Sequence, residues 1–329
     1  MPTESHHGLP TSNSNRRPAV LLASASYGGT LAAARNLGSN GIHVGILKCE
    51  GTRFSAATWS RYASRCYAAP REGDTQRFLE RILSIGAADP GQVLLASSDE
   101  TAHLYSEHAA QLEQHFCVYQ PSVTSIRRIL DKSLLEDAAI SAGLAVVPTW
   151  TPRTLDEMST LAANLPYPIL IKPRTHVHRK RNDKGVVVSS MTELIHKYGA
   201  YVSREHSTTV GAAELPILQQ FVSTADHGVY SVSGFLDRTG ELFVTRHCVK
   251  VYQRSQPVGV GVCFESLPAN PGLSRAVRRL CVELGYFGIF EAEFLRLHDD
   301  WAIIDFNPRL FNQIALDIRC GMPLPWLAY

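Results

Sequence analysis

The sequence predicts a globular α/β protein with added α+β elements, built from two or three compact units, and three observations support this prediction. Apolar strands alternate with helical stretches through the first 120 residues, and polar turns between apolar strands predict hairpins in the C-terminal half. The composition, 45% hydrophobic and 19% charged, is that of an ordinary globular protein. Because single cores stop growing beyond about 250–300 residues, a chain of 329 residues should form two or three compact units.

Composition and charge argue against several classes of protein. A formal net charge of +2 gives no case for nucleic acid or a membrane surface as a partner. No run approaches the roughly 18 apolar residues of a membrane span, and the N-terminus lacks the apolar core of a signal peptide. The seven cysteines are scattered without CxxC spacing, which indicates neither a disulfide framework nor a zinc site. We therefore expect a cytoplasmic protein with reduced thiols.

The N-terminal part contains a predicted βαβ unit. Residues 1–17, rich in Ser, Asn, Pro and His, are predicted to be a disordered tail. A buried strand at Ala19–Ala23, a turn with Gly28-Gly29, a helix and a second strand at Ile42–Leu47 follow in order. The turn lacks the GxGxxG pattern, so a tight turn is favoured over a dinucleotide site.

The alternation continues with a helix at Thr75–Ile85 and a strand at Gln92–Ala96. Ser97-Ser98-Asp99-Glu100 then stands at the carboxyl end of that strand, where open α/β sheets bind ligands. Two interpretations fit Asp99: a contact to substrate, or the N-cap of the helix that follows. We expect the first domain to close at Pro121.

The middle of the chain contains a strand that ends in a cation. Pro168–Pro173 is apolar apart from Lys172, which either meets an anion or extends its ammonium group into solvent. The cationic loop Arg174–Gly185 follows, and three interpretations compete: a nucleic-acid patch, a solvated loop, or a flap that closes over phosphates with Gly185 as a hinge. His176 and His178 have HxH spacing, but no third ligand is near, so metal binding is disfavoured.

A hairpin is predicted over Gly288–Arg309, with a three-residue turn at His298–Asp300 and Leu297 facing Trp301. The register then places two pairs opposite each other: Glu293 with Asp305, and Glu291 with Asn307. Alternation along strands puts all four side chains on one face.

Two interpretations fit these oxygen-bearing side chains. They hold a hard divalent cation such as Mg²⁺ between facing carboxylates, or they form the solvated face of an antiparallel sheet. Arg309 lies two residues beyond Asn307, where a guanidinium could meet a phosphate.

Five short segments, in this order, resemble the ATP-grasp superfamily: Asp131-Lys132, Ile171-Lys172-Pro173, Leu218–Val222, Glu293-Phe-Leu and Ile304–Arg309. Lys184-Gly185 and Arg254-Ser-Gln-Pro are most similar to carboxylate-amine ligases of the D-aspartate ligase-like type. The resemblance runs from about residue 18 to the end of the chain.

The resemblance implies a Rossmann-like pre-ATP-grasp domain at 18–121 and an ATP-grasp domain at 122–329, with a small lid subdomain at about 144–222. It implies an ATP-dependent ligase that uses Mg²⁺ or Mn²⁺, activates a small-molecule carboxylate as an acyl phosphate and joins it to an amine. A carboxylase-type enzyme and a catalytically weak nucleotide-binding regulator are the alternatives. A homodimer is left open, and we expect a C-terminal piece to be absent or very short.

The resemblance also implies roles for individual residues. Lys132, Lys172 and Lys184 would contact ATP phosphates, and Gln219, Gln220, Phe221 and Val222 would contact adenine. Glu293, Asp305 and Asn307 would hold the metal, and Arg309, with Arg254 or Lys250, would neutralise the transferring phosphoryl group or the substrate carboxylate. Asp305 stands where the family usually has Glu, and Glu291 matches no metal-ligand position, which predicts a structural role.

Overall fold

A computed structural model describes residues 17–24, 26–179, 184–205, 215–224, 228–255 and 257–329. Residues 1–16 of the predicted tail and residues 180–183 of the cationic loop lie outside the described residues. Among those described, no helix combines the length and apolar character needed to cross a membrane.

The N-terminal sheet has five parallel strands in the order β3-β2-β1-β4-β5. Its strands are β1 (Val20–Leu22), β2 (Val44–Cys49), β3 (Ala63–Ala69), β4 (Gln92–Leu95) and β5 (Phe116–Val118). The helices between them are α1 (Gly28–Ser39), α2 (Thr75–Ala88), α3 (Asp99–Glu107) and α4 (Ala109–Leu112), with a 3₁₀ turn at Ala57–Trp59. Fully buried apolar strands such as β1 are typical of a sheet covered on both faces.

Two helices and one short strand link this sheet to the rest of the chain: α5 (Val123–Leu130), α6 (Lys132–Ser141) and β6 (Ala145–Val146). The chain leaves the third sheet directly after β6, because the next strand, β7 (Thr149–Trp150), belongs to a different sheet.

The second sheet is small and antiparallel, with the strand order β7-β10-β8-β9. Its elements are β7 (Thr149–Trp150), α7 (Leu155–Ala162), β8 (Ile169–Lys172), β9 (Val186–Val188), α8 (Met191–Glu205) and β10 (Ile217–Gln220). Met158 of α7 and Tyr198 of α8 pack with Ile171 of β8 in a separate core, which lets this sheet form one wall of a cleft.

The third sheet has six strands in the order β13-β12-β11-β14-β15-β6. Its strands are antiparallel except for β6, which runs parallel to β15. Besides β6, the strands are β11 (Val229–Leu236), β12 (Phe243–Arg254), β13 (Val260–Leu267), β14 (Gly288–Leu297) and β15 (Asp300–Asn307). The helix α9 (Pro271–Leu284) connects β13 to β14. The chain ends with α10 (Ile314–Arg319) and α11 (Leu324–Ala328), which pack against α1.

One apolar core joins the first and third sheets. Val20 of β1 and Ile46 of β2 belong to the same cluster as Phe235 of β11, Ile289 of β14 and Phe311. The core therefore crosses the predicted boundary at residue 121, and the division of the chain into domains stays a prediction.

The β14–β15 hairpin has the predicted partners but not the predicted turn. Leu297 pairs with Asp300, and Trp301 lies opposite Arg296, so the three-residue turn was wrong by one residue. A register shift then passes over Ile304, and Glu293 pairs with Asp305 and Glu291 with Asn307, as predicted. A β-bulge adds one residue to one strand, which compensates here for the shorter turn.

Candidate active site

A cleft between the second and third sheets contains a cavity of about 990 Å³, which we call the first cavity. Strand β10 and the residues after it line one side, and β12, β14 and β15 line the other. The predicted site residues that line it are Lys172, Lys184, Gln219, Gln220, Phe221, Val222, Lys250, Glu293, Asp305, Asn307 and Arg309. Residues that are separated by more than 130 positions in the sequence therefore face one space.

Each of the two facing carboxylates has its own lysine. Lys250 Nζ lies 3.3 Å from Glu293 Oε1, and Lys132 Nζ lies 3.3 Å from Asp305 Oδ1. Burial opposes ionisation of Asp305, but Lys132 and Lys172 hold the pKa of its carboxyl group well below the usual range. Asp305 is therefore an anion in the folded protein.

Lys172 has a different environment from the other two lysines. Its Nζ donates a hydrogen bond of 2.8 Å to the backbone carbonyl of Ile304, and no ion pair of the described residues includes it. Burial, followed by repulsion from Lys132, lowers the pKa of Lys172 to about 7. An anion in the first cavity would restore its positive charge.

Glu291 is buried beneath the metal-ligand candidates, with 3% of its surface exposed. Its carboxyl group accepts hydrogen bonds from Ser231 Oγ (3.0 Å), Asn307 Nδ2 (3.0 Å) and the Gln313 side chain. Burial and the neighbouring Glu293 raise the pKa of Glu291 to about 8. Because Asn307 Nδ2 is held by Glu291, the amide oxygen of Asn307 points the other way, where it accepts from Arg309 at 2.8 Å.

Arg309 connects the third sheet to the N-terminal sheet. Its Nε donates a 2.7 Å hydrogen bond to Asp99 Oδ1. The N-cap interpretation of Asp99 is wrong, because Ser98 caps α3 and its Oγ accepts from the Thr101 amide at 3.1 Å. Asp99 is thereby available to fix the guanidinium of Arg309.

A second cavity, of about 1310 Å³, adjoins the first. Lys184, Val260, Arg309 and Asn312 line both, so the two cavities meet at these residues. Among the residues of the second cavity that the sequence reasoning did not assign to a site are Glu72, Ser97, Glu100, His176 and the cation Arg179. Ser97 and Glu100 carried a signal, since they follow the carboxyl end of a parallel strand, whereas Glu72 lies in a loop without a motif.

Besides Asp99, which lines the second cavity, two predicted residues stand apart from the first cavity. Lys132 does not line the first cavity, and its Nζ contacts the site at Asp305 Oδ1. Arg254 is exposed at the end of β12 and lines neither cavity, so the structure does not bring it to the site. Gln253, which the sequence analysis did not select, lines the first cavity in its place.

The predicted metal ligands offer two carboxylates and one amide. In the described part of the chain, no group of three or more His, Cys, Asp or Glu side chains could hold a metal ion. Glu293, Asp305 and Asn307 supply hard oxygen donors that suit Mg²⁺ or Mn²⁺, but they leave several coordination positions to other oxygens. The set fits a cation that is held jointly by the protein and a phosphate-bearing ligand.

Comparisons with models of protein families and with curated proteins found no match to the sequence. Among solved structures, biotin carboxylase from Campylobacter jejuni is similar with a TM-score of 0.73 at 17% identity, over 95% of this chain and 70% of that chain. L-amino acid ligase from Bacillus licheniformis has a TM-score of 0.72 at 13% identity, over 96% of this chain and 74% of that chain. N5-carboxyaminoimidazole synthetase from Staphylococcus aureus has a TM-score of 0.68 at 14% identity, over 94% and 76%.

These three solved structures share the ATP-grasp fold, and each similarity extends over more than nine-tenths of this chain. The mixed sheets found here, with the cleft between the second and third, agree with that architecture. The chain therefore has the ATP-grasp fold.

Proposed function

We propose that this protein is an ATP-dependent ligase that uses Mg²⁺ or Mn²⁺, activates a small carboxylate as an acyl phosphate and joins it to an amine. Its subtype would be that of the D-aspartate ligase-like carboxylate-amine ligases. The observation that carries the proposal is the first cavity, which brings cationic side chains, an acidic pair and an apolar wall into one space.

The apolar end of the first cavity suits a nucleotide base. Leu170, Val222, Val229 and Leu295 line it beside the strand segment Gln219–Val222. Ligand sites typically combine such apolar walls with a few polar groups that fix orientation. We assign adenine to this end, with the backbone of Gln219–Val222 along its edge.

The cationic end suits a triphosphate. Lys172 and Lys184 line the cavity opposite Lys250, and the uncompensated ammonium of Lys172 is the best placed for a phosphate oxygen. Phosphoryl transfer depends mainly on positioning and charge neutralisation, which these side chains supply.

Glu293, Asp305 and Asn307 would hold the divalent cation between the protein and the phosphates. When bound, such a cation neutralises and orients the phosphoryl oxygens for in-line displacement. Lys250 and Lys132, which are now paired with Glu293 and Asp305, would turn toward the phosphates as the carboxylates take the cation. Glu291 would keep the Asn307 amide oriented from below.

The proposed chemistry has two steps. A carboxylate oxygen of the substrate attacks the γ-phosphorus, the bond to ADP breaks, and an acyl phosphate forms. The amine then attacks the acyl carbon, a C–N bond forms, the C–O bond to phosphate breaks, and the phosphate leaves with the proton of the amine. Arg309, fixed by Asp99 where the two cavities meet, is positioned to neutralise charge in both steps.

A carboxylase-type reaction is the second candidate. Biotin carboxylase is one of the similar structures, and a biotin carboxylase domain with a TM-score of 0.70 at 16% identity was solved with MgADP and bicarbonate. In that case bicarbonate takes the place of the carboxylate. A cytoplasmic location and a homodimer remain predictions from the sequence and its resemblance.

The test is an ADP-release screen with MgATP over pairs of amino acids, small carboxylates, bicarbonate and amines. We expect at least one carboxylate–amine pair to stimulate turnover, and a response to bicarbonate alone would favour the carboxylase. Asp305→Ala and Asn307→Ala should each reduce the stimulated rate by at least about 100-fold while circular dichroism stays unchanged. Asp300→Ala, on the exposed start of the same strand, is the matched control. Full activity in either site variant would contradict the metal assignment, and no ATP binding by the wild-type protein would refute the ligase.

A further inference from the structure

The second cavity has an acidic wall at the carboxyl edge of the N-terminal sheet. Asp99 is neutralised there by Arg309. Glu72 has only weaker donors: its carboxylate accepts from the hydroxyl of Ser24, from Ser98 Oγ at 2.7 Å and from the thiol of Cys49 at 4.0 Å. In the part of the chain that the structure describes, no ion pair includes this half-buried carboxylate. Glu72 therefore faces the cavity with a charge that no cation of these residues balances.

Glu100 adds a second carboxylate to the same wall. Its Oε1 accepts the backbone N–H of His178 at 2.6 Å, and its side chain is 20% exposed. Burial, and then the nearby Glu72 and Asp99, raise the pKa of Glu100 to about 7. A cation in the cavity would relieve this repulsion between carboxylates.

Ser97 is an independent sign that a ligand binds in this cavity. The residue is 2% exposed and lines the cavity, yet its hydroxyl oxygen has no hydrogen-bond partner among the described residues. Buried polar groups in folded proteins are nearly always paired, and an unpaired one calls for an explanation. A ligand that donates a hydrogen bond to Ser97 Oγ from within the cavity provides it.

The position of the cavity limits what this ligand does. It meets the first cavity at Lys184, Val260, Arg309 and Asn312, beside the end that we assign to the phosphates. A group bound against Glu72 is therefore separated from the nucleotide site only by these shared residues. A carboxylate is disfavoured at this wall because it would face Glu72 and Glu100.

We propose that the second cavity binds the amine substrate as its ammonium ion, with Glu72 as the counter-ion, Glu100 as a second carboxylate and Ser97 Oγ as a hydrogen-bond acceptor. The ammonium nitrogen has no lone pair, so it passes one proton to the Glu100 carboxylate before the free amine attacks the acyl carbon. An ammonium group has only donors, which matches the carboxylate oxygens of Glu72 and Glu100 and the unpaired acceptor capacity of Ser97 Oγ. The proposal rests on the proposed ligase function, since it assigns the second substrate of that reaction.

The experiment separates the two half-reactions with hydroxylamine. Hydroxylamine is uncharged at neutral pH and converts an acyl phosphate into a hydroxamate, so it reports carboxylate activation without an ammonium ion. A panel of amino acids and small carboxylates with MgATP and hydroxylamine identifies the carboxylate. Ammonium chloride, methylamine, ethanolamine, 1,3-diaminopropane and glycine then serve as amine probes in ADP release.

In Glu72→Gln, we expect the KM of the best amine probe to rise about 10- to 100-fold, because a charge-assisted contact is lost. The rate of hydroxamate formation and the KM values for ATP and the carboxylate should stay within about two-fold of wild type. Glu113→Gln, an exposed glutamate that lines neither cavity, is the matched control and should change none of these values. Retained hydroxamate formation also shows that the Glu72 variant is folded.

Ser97→Ala provides a second, milder test. It should raise the KM of the amine several-fold without lowering the melting temperature, since the hydroxyl that is removed has no described partner. An unchanged amine KM in both variants, or a rise in the carboxylate KM instead, would overturn the proposal. Wild-type protein that forms no hydroxamate with any carboxylate would overturn the ligase function itself, and the proposal with it.

Discussion

The two cavities differ in how the protein balances their charges. In the first cavity Glu293 and Asp305 each have a lysine at 3.3 Å. In the second cavity Glu72 is held by hydroxyl groups, and Arg309 is already bonded to Asp99. A ligand of the first cavity therefore has to replace the ion pairs of Glu293 and Asp305. A cation in the second cavity would instead form an ion pair with Glu72, which has none among the described residues. This difference suits a nucleotide that arrives with its own metal in one cavity and an ammonium ion in the other.

Arg309 lines both cavities, so replacing it should impair ADP release and hydroxamate formation alike. In Arg309→Met we expect ADP release and hydroxamate formation to fall together by roughly 100- to 1000-fold, since the fork to Asp99 and Asn307 is lost along with its charge. Arg309→Lys keeps the charge but loses the fork and should recover only part of the activity.

Arg254→Met is the natural control for the Arg309 variants. Arg254 is exposed and lines neither cavity, so its replacement should change both rates by less than about two-fold. A loss comparable with that in Arg309→Met would return Arg254 to the catalytic group that the sequence predicted.

Replacing Glu291 tests whether this buried residue of the first cavity stabilises the fold. Glu291→Ala leaves the donors of Ser231, Asn307 and Gln313 without an acceptor, and we expect the free energy of unfolding to fall by about 2–3 kcal/mol. Glu291→Gln keeps an acceptor oxygen, and it should lose less than half as much. Chemical denaturation measures both, and equal stability of the Ala variant and the wild type would contradict a structural role.

The contrast between Glu293 and Arg254 explains how far the sequence could predict the site. Side-chain alternation correctly paired Glu293 with Asp305, because a bulge at Ile304 cancelled an error of one residue in the turn. In β12 the register shifts around Tyr252 had the opposite effect: they turned Gln253 toward the cavity and Arg254 toward solvent. Bulges depend on packing between strands, so a period-two pattern cannot reveal them.

The fold and the second cavity show the same limit of prediction from sequence, here for contacts between distant parts of the chain. The βαβ pattern depends on local periodicity and predicted an α/β fold, whereas the ATP-grasp fold was predicted by the resemblance of five short segments to that superfamily. Glu72 follows β3 and Ser97 follows β4, strands that are not adjacent in their sheet, and β15 belongs to a different sheet. Only the tertiary arrangement brings these residues to Arg309, and no spacing in the chain records it.

The smallest predicted effect concerns the charge of Lys172, which tests how the first cavity balances the charge of its ligand. Burial and Lys132 lower the pKa of Lys172 to about 7, so at pH 8 most of the lysine is neutral in the protein without nucleotide. Phosphate oxygens favour the charged form and would raise this pKa, so ATP binding should take up protons, close to one per site at pH 8. Below about pH 6 the lysine is already charged, and the uptake should vanish.

Titration calorimetry of ATP binding in buffers with different ionisation enthalpies measures this uptake. Lys172→Met should abolish it, whereas Lys197→Met, on the exposed face of α8, should leave it unchanged. The size of the uptake at pH 8 decides between two charge states of the site. No uptake in the wild-type protein would mean that Lys172 is already charged before the nucleotide arrives, and the lowered pKa of Lys172 would then be wrong.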